Sequence, residues 1–227
     1  MTVPPFVPQP IEIPGNVTTK PYLVIVGFVR RVSLAHFASV LAVATFALYG
    51  RPVGSILALS GVTFCFLAGL NLLRTFAGGW RGEHLISLAA FPLFLACLGL
   101  TMRIFFDRGW PVWAPGLGLL MALAYTLSCG RDLSYVGMFA ISGVVSTAAI
   151  LVFAVLHRLP GQEIAAACLL NAGFLFYHVY DLASLLSRRR LGEELGAVID
   201  LYRDVLNIFG YVPRVARHWR EHRIWSK

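Results

Sequence analysis

The most constraining feature of this sequence is a series of six long apolar runs separated by short charged or glycine-containing turns. A helix needs about 20 apolar residues to cross the hydrocarbon core of a bilayer. Of the 227 residues, 58% are hydrophobic and only 13% are charged, whereas about a quarter of the residues of a typical soluble domain are charged. The chain is therefore predicted to be an all-α integral membrane protein. The runs cover residues 32–49, 53–73, 85–106, 110–129, 133–156 and 164–186.

A seventh segment, residues 197–211, is apolar in general but carries Asp200, Arg203 and Asp204. A charge at mid-bilayer costs at least about 2.5–3.5 kcal/mol, so such residues face the bundle interior and mark functional positions. We expect this segment to be a central helix that is surrounded by the other six and lines a polar path. The fold prediction is thus seven transmembrane helices with the polar C-terminal helix at the centre. A re-entrant seventh segment is the alternative that the sequence leaves open.

The formal charge of +8 is concentrated in the turns and at the two ends of the chain. This distribution favours contact with anionic lipid headgroups and argues against nucleic-acid binding. Before the C-terminal tail is considered, nine basic residues fall on the side of the N-terminus and four on the other, which predicts a cytosolic N-terminus. The nine are Lys20, Arg30, Arg31, Arg74, Arg81, Arg131, Arg188, Arg189 and Arg190, and the four are Arg51, Arg103, Arg108 and Arg158.

Three regions follow from this pattern. Residues 1–21 contain six prolines and no periodic apolar face, so they are predicted to be a flexible cytosolic arm. Residues 22–213 form the seven-helix membrane domain, and residues 214–227 form a basic tail. The arm contains a glycosylation acceptor at Asn16, which we interpret as a chance match because the arm is expected to be cytosolic.

The carboxylates of the last two segments could form a proton-sensitive site. On a helix, Asp200 and Asp204 share a face, with Arg203 beside them. Asp181 precedes Asp204 by 23 residues (204 − 181), so two antiparallel helices could bring these two side chains together. Two carboxylates in one desolvated site can share a proton near neutral pH. The deprotonated pair would offer hard oxygen ligands for Ca²⁺.

A structural interpretation of the same residues stays open. Each aspartate could simply pair with Arg203 or cap a polar helix end. His178, three residues before Asp181, could tune the proton affinity of that carboxylate or serve as a hydrogen-bonded filler. The candidate ion path is therefore Asp181 and Asp204, with Asp200, Arg203 and His178 as possible gating partners.

The sequence does not indicate an enzyme or a resident cofactor. Four cysteines lie singly in four different runs, so they predict neither disulfides nor a zinc site and are interpreted as small buried hydrophobic residues. Residues 218–222 match the HxxEH pattern of zinc peptidases, but no acidic residue follows to complete a metal site. We interpret this match as chance.

The last two segments resemble a known family. Tyr180-Asp181, followed by LYRDVLNIF at residues 201–209, is similar to the C-terminal signature of the transmembrane Bax inhibitor-1 motif family, a Tyr-Asp pair and then LYLDIINLF. FVRRV at residues 28–32 resembles the family's FLRKVY. The family usually has an aliphatic residue where Arg203 stands. The second run also lacks a mid-helix arginine that could act as a gating partner, the nearest being Arg74 at its end.

The resemblance, which covers about residues 22–212, implies a pH-sensitive calcium leak whose paired aspartates correspond to Asp181 and Asp204. Calcium would be the transported ion. It also implies an intracellular membrane, the endoplasmic reticulum or Golgi, or the inner membrane if the source is bacterial, and a role in lowering calcium stores and damping cell death. The arginine-rich tail and short loops are similar to those of the seven-transmembrane members carried by betaherpesviruses. That similarity implies host survival, adhesion or calcium-handling proteins as partners.

A protein that conducts no ions is the competing prediction. Its spans would bind membrane partners, and Asp181, Asp200 and Arg203 would form a structural network of ion pairs. The hydrophobic runs suit both functions equally. Neutralising one aspartate would alter ion flux in the first case and only folding or partner binding in the second.

Overall fold

A computed structural model describes residues 12–52, 54–77 and 79–221, without the side chains of residues 80 and 204–215. The described residues are 82% helical, and no strand occurs among them. A short 3₁₀ helix (Val17–Thr19) precedes seven α-helices. They are α1 (Tyr22–Tyr49), α2 (Ile56–Thr75), α3 (Trp80–Asp107), α4 (Ala114–Ser128), α5 (Tyr135–His157), α6 (Gly161–Arg188) and α7 (Glu194–Glu221).

Five of these helices are long and apolar enough to cross a membrane, namely α1, α2, α3, α5 and α6. The prediction of an all-helical, multi-pass membrane protein is confirmed at this level. Helix α4 is apolar but has only 15 residues, roughly 22 Å at 1.5 Å per residue, which is shorter than a typical hydrocarbon core. Among the described residues, α7 is not one of the helices that meet this criterion.

Helix α1 begins ten residues before the predicted start of the first span at residue 32. The helix runs unbroken through Arg30 and Arg31 because both side chains reach polar partners at the end of the bundle. The Arg30 guanidinium donates to the carbonyl oxygens of Thr126 and Gly130, at 2.8 Å each, and Arg31 pairs with Glu194 at 2.9 Å. The two arginines thus join the start of α1 to the end of α4 and the start of α7.

Helices α1 to α7 alternate in direction, so that α1, α3, α5 and α7 begin at the same end of the bundle, which we call the charged end. The Tyr22 hydroxyl donates to the Leu133 carbonyl and accepts from the Leu133 amide, which joins the start of α1 to the α4–α5 turn. Arg189 and Glu83 join the α6–α7 connection to the start of α3. The turns that the sequence assigns to the side of the N-terminus therefore meet here.

The core lies where α7 packs against α1, α2, α3 and α6. Helices α4 and α5 pack against each other and against α6, and α4 also contacts α1. The largest fully buried side chains include Phe28, Phe94, Leu70, Met138 and Ile199. The outer faces expose many Leu, Val and Phe side chains, as expected for helices that face lipid.

The four cysteines are free thiols, as the sequence predicts, but the prediction that they are all buried is wrong. Cys65 is exposed and the other three are partly buried. The physical reason is that a thiol can face hydrocarbon without penalty, so an apolar run does not determine which of its faces turns inward. None of them is fully buried, although Cys168 packs against the small core cluster of Ala114, Ile150 and Ala167.

The two ends of the chain differ in part from their sequence-based assignments. Residues 12–20, within the predicted flexible arm, lie against the α6–α7 connection, and Val17 is fully buried there. Residues 1–11 lie outside the described part of the chain. At the other end, α7 continues as far as Glu221, so the backbone of the predicted tail is helical over residues 214–221. Asn16 of the glycosylation motif is 3% exposed.

The alternating arrangement predicts a labelling pattern. Single cysteines at Arg131 and Arg190 should react with a membrane-impermeant thiol reagent from one side, and cysteines at Arg51 and Arg158 from the opposite side only. The reason is that the first two positions lie at the charged end and the other two at its opposite. Mass-spectrometric quantification of labelling in sealed vesicles measures this, with the unmodified chain as the background control. Labelling of all four positions from one side would contradict the arrangement.

Candidate functional site

A deeply buried carboxylate of α7, Asp200, is held by three arginines. Asp200 is 1% exposed. Its Oδ1 lies 3.3 Å from Nη1 of Arg74 on α2 and 3.3 Å from Nη1 of Arg203 on the same helix. Its Oδ2 accepts a 2.6 Å hydrogen bond from Nε of Arg189 in the α6–α7 connection. The first turns of α7 are thereby fixed to α2 and to the end of α6.

Glu83 on α3 extends this contact into a network. Its Oε1 accepts from Nη2 of Arg74 and, at 2.9 Å, from Nη1 of Arg189. Two arginines thus bridge the same two carboxylates, and each guanidinium uses several donors. We call Arg74, Glu83, Arg189, Asp200 and Arg203 the arginine–carboxylate cluster.

Burial makes the cluster energetically demanding. The Arg74 side chain is 4% exposed and the Asp200 side chain 1%, so each charge depends on its partners to offset desolvation. At Arg189, just beyond the end of α6, burial opposes the charged form, but Asp200 and Glu83 outweigh it and raise the pKa of the guanidinium above its ordinary value. Arg189 therefore stays charged at every accessible pH.

Gly196 allows the arginines to approach α7. A Cβ at this position would lie 2.9 Å from Nη1 of Arg189 and 3.3 Å from Nη2 of Arg74. Nη2 of Arg74 also donates to the Gly196 carbonyl at 3.3 Å. A side chain here would displace the guanidinium groups from Asp200.

Asp181 forms a second site within α6, seven residues before the end of this helix at Arg188. It is 1% exposed, and its Oδ1 accepts from the Arg188 guanidinium at 2.5 Å and from the Ser184 hydroxyl at 3.0 Å. Arg188 and Arg189 are adjacent, so neighbouring residues hold Asp181 and Asp200. The predicted partner of Asp181, Asp204, lies on α7, but its side chain is outside the described residues.

A layer of polar side chains, three of them aromatic, includes His178, which lies three residues before Asp181 on α6. His178 stacks on His36 of α1, with ring centroids 4.9 Å apart and an interplanar angle of 18°. Tyr202 of α7 packs edge-on against His36 at 5.3 Å, and its hydroxyl lies 2.7 Å from the hydroxyl of Ser39. We call these four residues the histidine layer. They are buried or partly buried.

The structure brings together only some of the residues that the sequence singles out. Asp200 and Arg203 meet in the arginine–carboxylate cluster, and His178 contacts His36. Sequence reasoning missed Glu83, Arg189 and His36 as members of these sites. It noticed Arg74 but set it aside because it stands at the end of the second run. The available signal was that an arginine still inside a helix needs a carboxylate partner.

The described residues contain no grouping of three or more His, Cys, Asp or Glu side chains that could hold a metal ion. Asp181 and Asp204 are the predicted calcium ligands, and the side chain of Asp204 lies outside the described residues. A cavity of about 10 Å³ beside the cluster is lined by Glu83, His84, Ser87, Arg189, Glu193 and Gly196. That volume suits a single water molecule.

Comparisons with known proteins do not extend this description: no family model, no curated protein and no solved structure matches the chain.

The cluster predicts that neutralising a buried carboxylate lowers the free energy of unfolding more than neutralising an exposed one does. Asp200→Asn should lower the free energy of unfolding by about 3 kcal/mol, because it leaves buried arginines uncompensated. Asp107→Asn is the matched control: its pair with Arg103 is largely exposed and should change stability by about 0.5 kcal/mol or less. Denaturant unfolding in detergent measures both. Equal effects would contradict the assignment of Asp200 as a buried, paired charge.

Proposed function

We propose that this protein is a pH-sensitive calcium leak channel of an intracellular membrane, with α4 and α7 completing seven spans and α7 lining the path. The observation that carries the proposal is that two buried carboxylates, Asp181 and Asp200, lie on the two polar helices and are each held by arginines at one end of the bundle. Buried ionisable residues in membrane helices mark ion or proton pathways in general. The resemblance of the last two segments to the Bax inhibitor-1 motif family supports the choice of calcium.

In the proposed mechanism, the described arrangement is the closed state. The arginine guanidinium groups occupy carboxylate oxygens that a cation would otherwise contact. Guanidinium groups stay charged at physiological pH, so protonation of a paired carboxylate would weaken these pairs. Loss of the pairs at Asp200 removes the ionic contacts of α7 with Arg74 on α2 and with Arg189 in the α6–α7 connection. The leak is therefore expected to increase as the pH falls.

Arg74 has a specific place in this proposal. It is the one member of the cluster on α2, and it reaches both Asp200 and Glu83. Releasing it removes the ion pair between α2 and α7 and leaves Glu83 bound to Arg189 alone among the contacts described. Arg74, at the end of α2, would then be the gating arginine that the middle of the second run lacks.

A second candidate is a membrane interaction protein that conducts no ions and acts on survival, adhesion or calcium-handling partners. The observation that favours it is the internal pairing of the cluster: Asp200 and Glu83 already have arginine partners within the same chain and link four elements. The sole role of such a network can be to fix how the helices pack, without any part in ion flux. The two candidates make different predictions for ion flux.

The decisive measurement is calcium influx into liposomes that contain the purified chain, from about pH 8 down to about pH 4, because an arginine partner favours the charged form of a carboxylate and moves its protonation to lower pH. We expect the wild-type leak to increase as the pH falls. Asp181→Asn and Asp204→Asn should each leak at every pH, since an amide mimics the protonated carboxyl and cannot titrate. Arg74→Met should raise the leak at neutral pH, because it removes the ion pairs of α2 with Asp200 and Glu83.

Asp107→Asn is the control for these variants and should retain the wild-type pH profile, because Asp107 lies at the opposite end of the bundle. Circular dichroism of each reconstituted variant separates a change of gating from loss of the fold. A folded wild-type chain that passes no calcium at any pH would refute the channel. The interaction protein would then be the better description.

A further inference from the structure

The amino-terminal segment crosses the charged end and binds the α6–α7 connection through its backbone. The Ile13 amide donates to the Ser187 carbonyl at 3.0 Å, and the Val17 amide donates to the Arg189 carbonyl at 2.9 Å. In the other direction, Nε of Arg190 donates to the Pro14 carbonyl at 3.2 Å. We call residues 12–20 the strap.

The strap has its own local anchor. Oδ1 of Asn16 accepts from the Thr18 amide at 3.0 Å and from the Thr18 hydroxyl at 2.6 Å, which caps the 3₁₀ helix Val17–Thr19. The Thr19 hydroxyl donates to the Asn16 carbonyl at 2.8 Å. Val17 is fully buried and belongs to the main hydrophobic core. The capping bonds and the apolar anchor hold the strap in one conformation on the bundle.

The strap also takes the place of a C-terminal cap for α6. The last four carbonyl groups of a helix lack partners within it, and Ser187 is one of these residues. Arg189, the residue after the helix, has an extended backbone, with φ −132° and ψ 153°. Ile13 and Val17 supply the donors for the two carbonyls that flank Arg188. The backbone of the segment that carries both gating arginines is therefore held by the strap.

We propose that Asn16 and Val17 are positioning residues that act through Arg188 and Arg189. These arginines reach Asp181 and Asp200 from adjacent positions, on opposite sides of the point where the chain leaves α6. A fixed backbone lets them point to two different carboxylates at once. Release of the strap loosens both contacts together. The consequence for ion flux rests on the proposed channel function, whereas the control of arginine position does not.

The first test follows hydrogen–deuterium exchange of the full-length protein in lipid nanodiscs. Asn16→Ala removes the cap, so exchange should become about fivefold faster both in the strap and in residues 187–201, because loss of one capping bond changes a local equilibrium by about that factor. Asn16→Asp keeps an oxygen acceptor and should restore the wild-type rate. Ser55→Ala, which removes the similar cap of α2 at the opposite end, should leave residues 187–201 unchanged.

Faster exchange confined to the strap would overturn the proposal, since the strap would then be attached to the arginines without positioning them. The same conclusion would follow if Ser55→Ala changed residues 187–201 as much as Asn16→Ala did. This test needs no ion flux, so it stands even if the protein is not a channel.

The second test locks the strap reversibly. A disulfide between cysteines at Ile13 and Ser187, whose backbone atoms are already in contact, should suppress the leak at low pH, and reduction should restore it. Asn16→Ala should shift the pH profile of the leak so that the leak appears at a higher pH. Asn16→Asp should show the wild-type pH profile. The two single cysteine variants are the controls.

The outcomes separate the two proposals. A pH-dependent leak that the disulfide does not alter would overturn the role of the strap and leave the channel intact. A folded wild-type protein without any leak would refute the channel, and the exchange measurement would then decide the role of the strap alone.

Discussion

The structure depends on the compensation of charge where water is scarce. Asp200 lies almost fully buried near the start of α7, and a carboxylate there is stable only if cations reach it. Arg74 and Arg189 come from two other elements to do so, and both also bind Glu83 on α3. The start of α7 is therefore placed by electrostatics as much as by apolar contacts, and the charged end is the most constrained part of the bundle.

This constraint separates two kinds of packing in one molecule. Helices α4 and α5 associate with α6 mainly through apolar and small residues, and the outer faces of the bundle expose large apolar side chains. At the charged end, the connection after α6 lies among arginine and carboxylate partners, with the strap bound to its backbone. A change of charge at this end would alter the contacts of α7 with α2, α3 and α6. The helices farther from it would keep their packing, since no described member of the cluster belongs to α4 or α5.

The histidine layer gives α6 and α7 a second contact, which has no ion pair and also includes α1. His36 and His178 stack between α1 and α6, and Tyr202 joins them from α7. Aromatic contacts of this kind are directional but do not carry a net charge. The layer holds α1, α6 and α7 together through contacts that do not involve the ion pairs.

The sequence by itself determined that the chain is helical and passes a membrane several times, because apolar length is an additive property that needs no knowledge of neighbours. The side of the membrane that the charge pattern assigns to each turn stays a prediction. The sequence also marked Asp181, Asp200 and Arg203 as unusual, since ionisable residues in apolar helices are rare. Only the tertiary structure decided which charges meet. Glu83 and Arg189 look like ordinary turn residues, Cys65 looks like a core residue, and residues 12–20 look like part of a flexible arm. Their roles depend on which faces of distant helices come together, and that choice depends on specific packing and pairing across the bundle, which hydropathy does not encode.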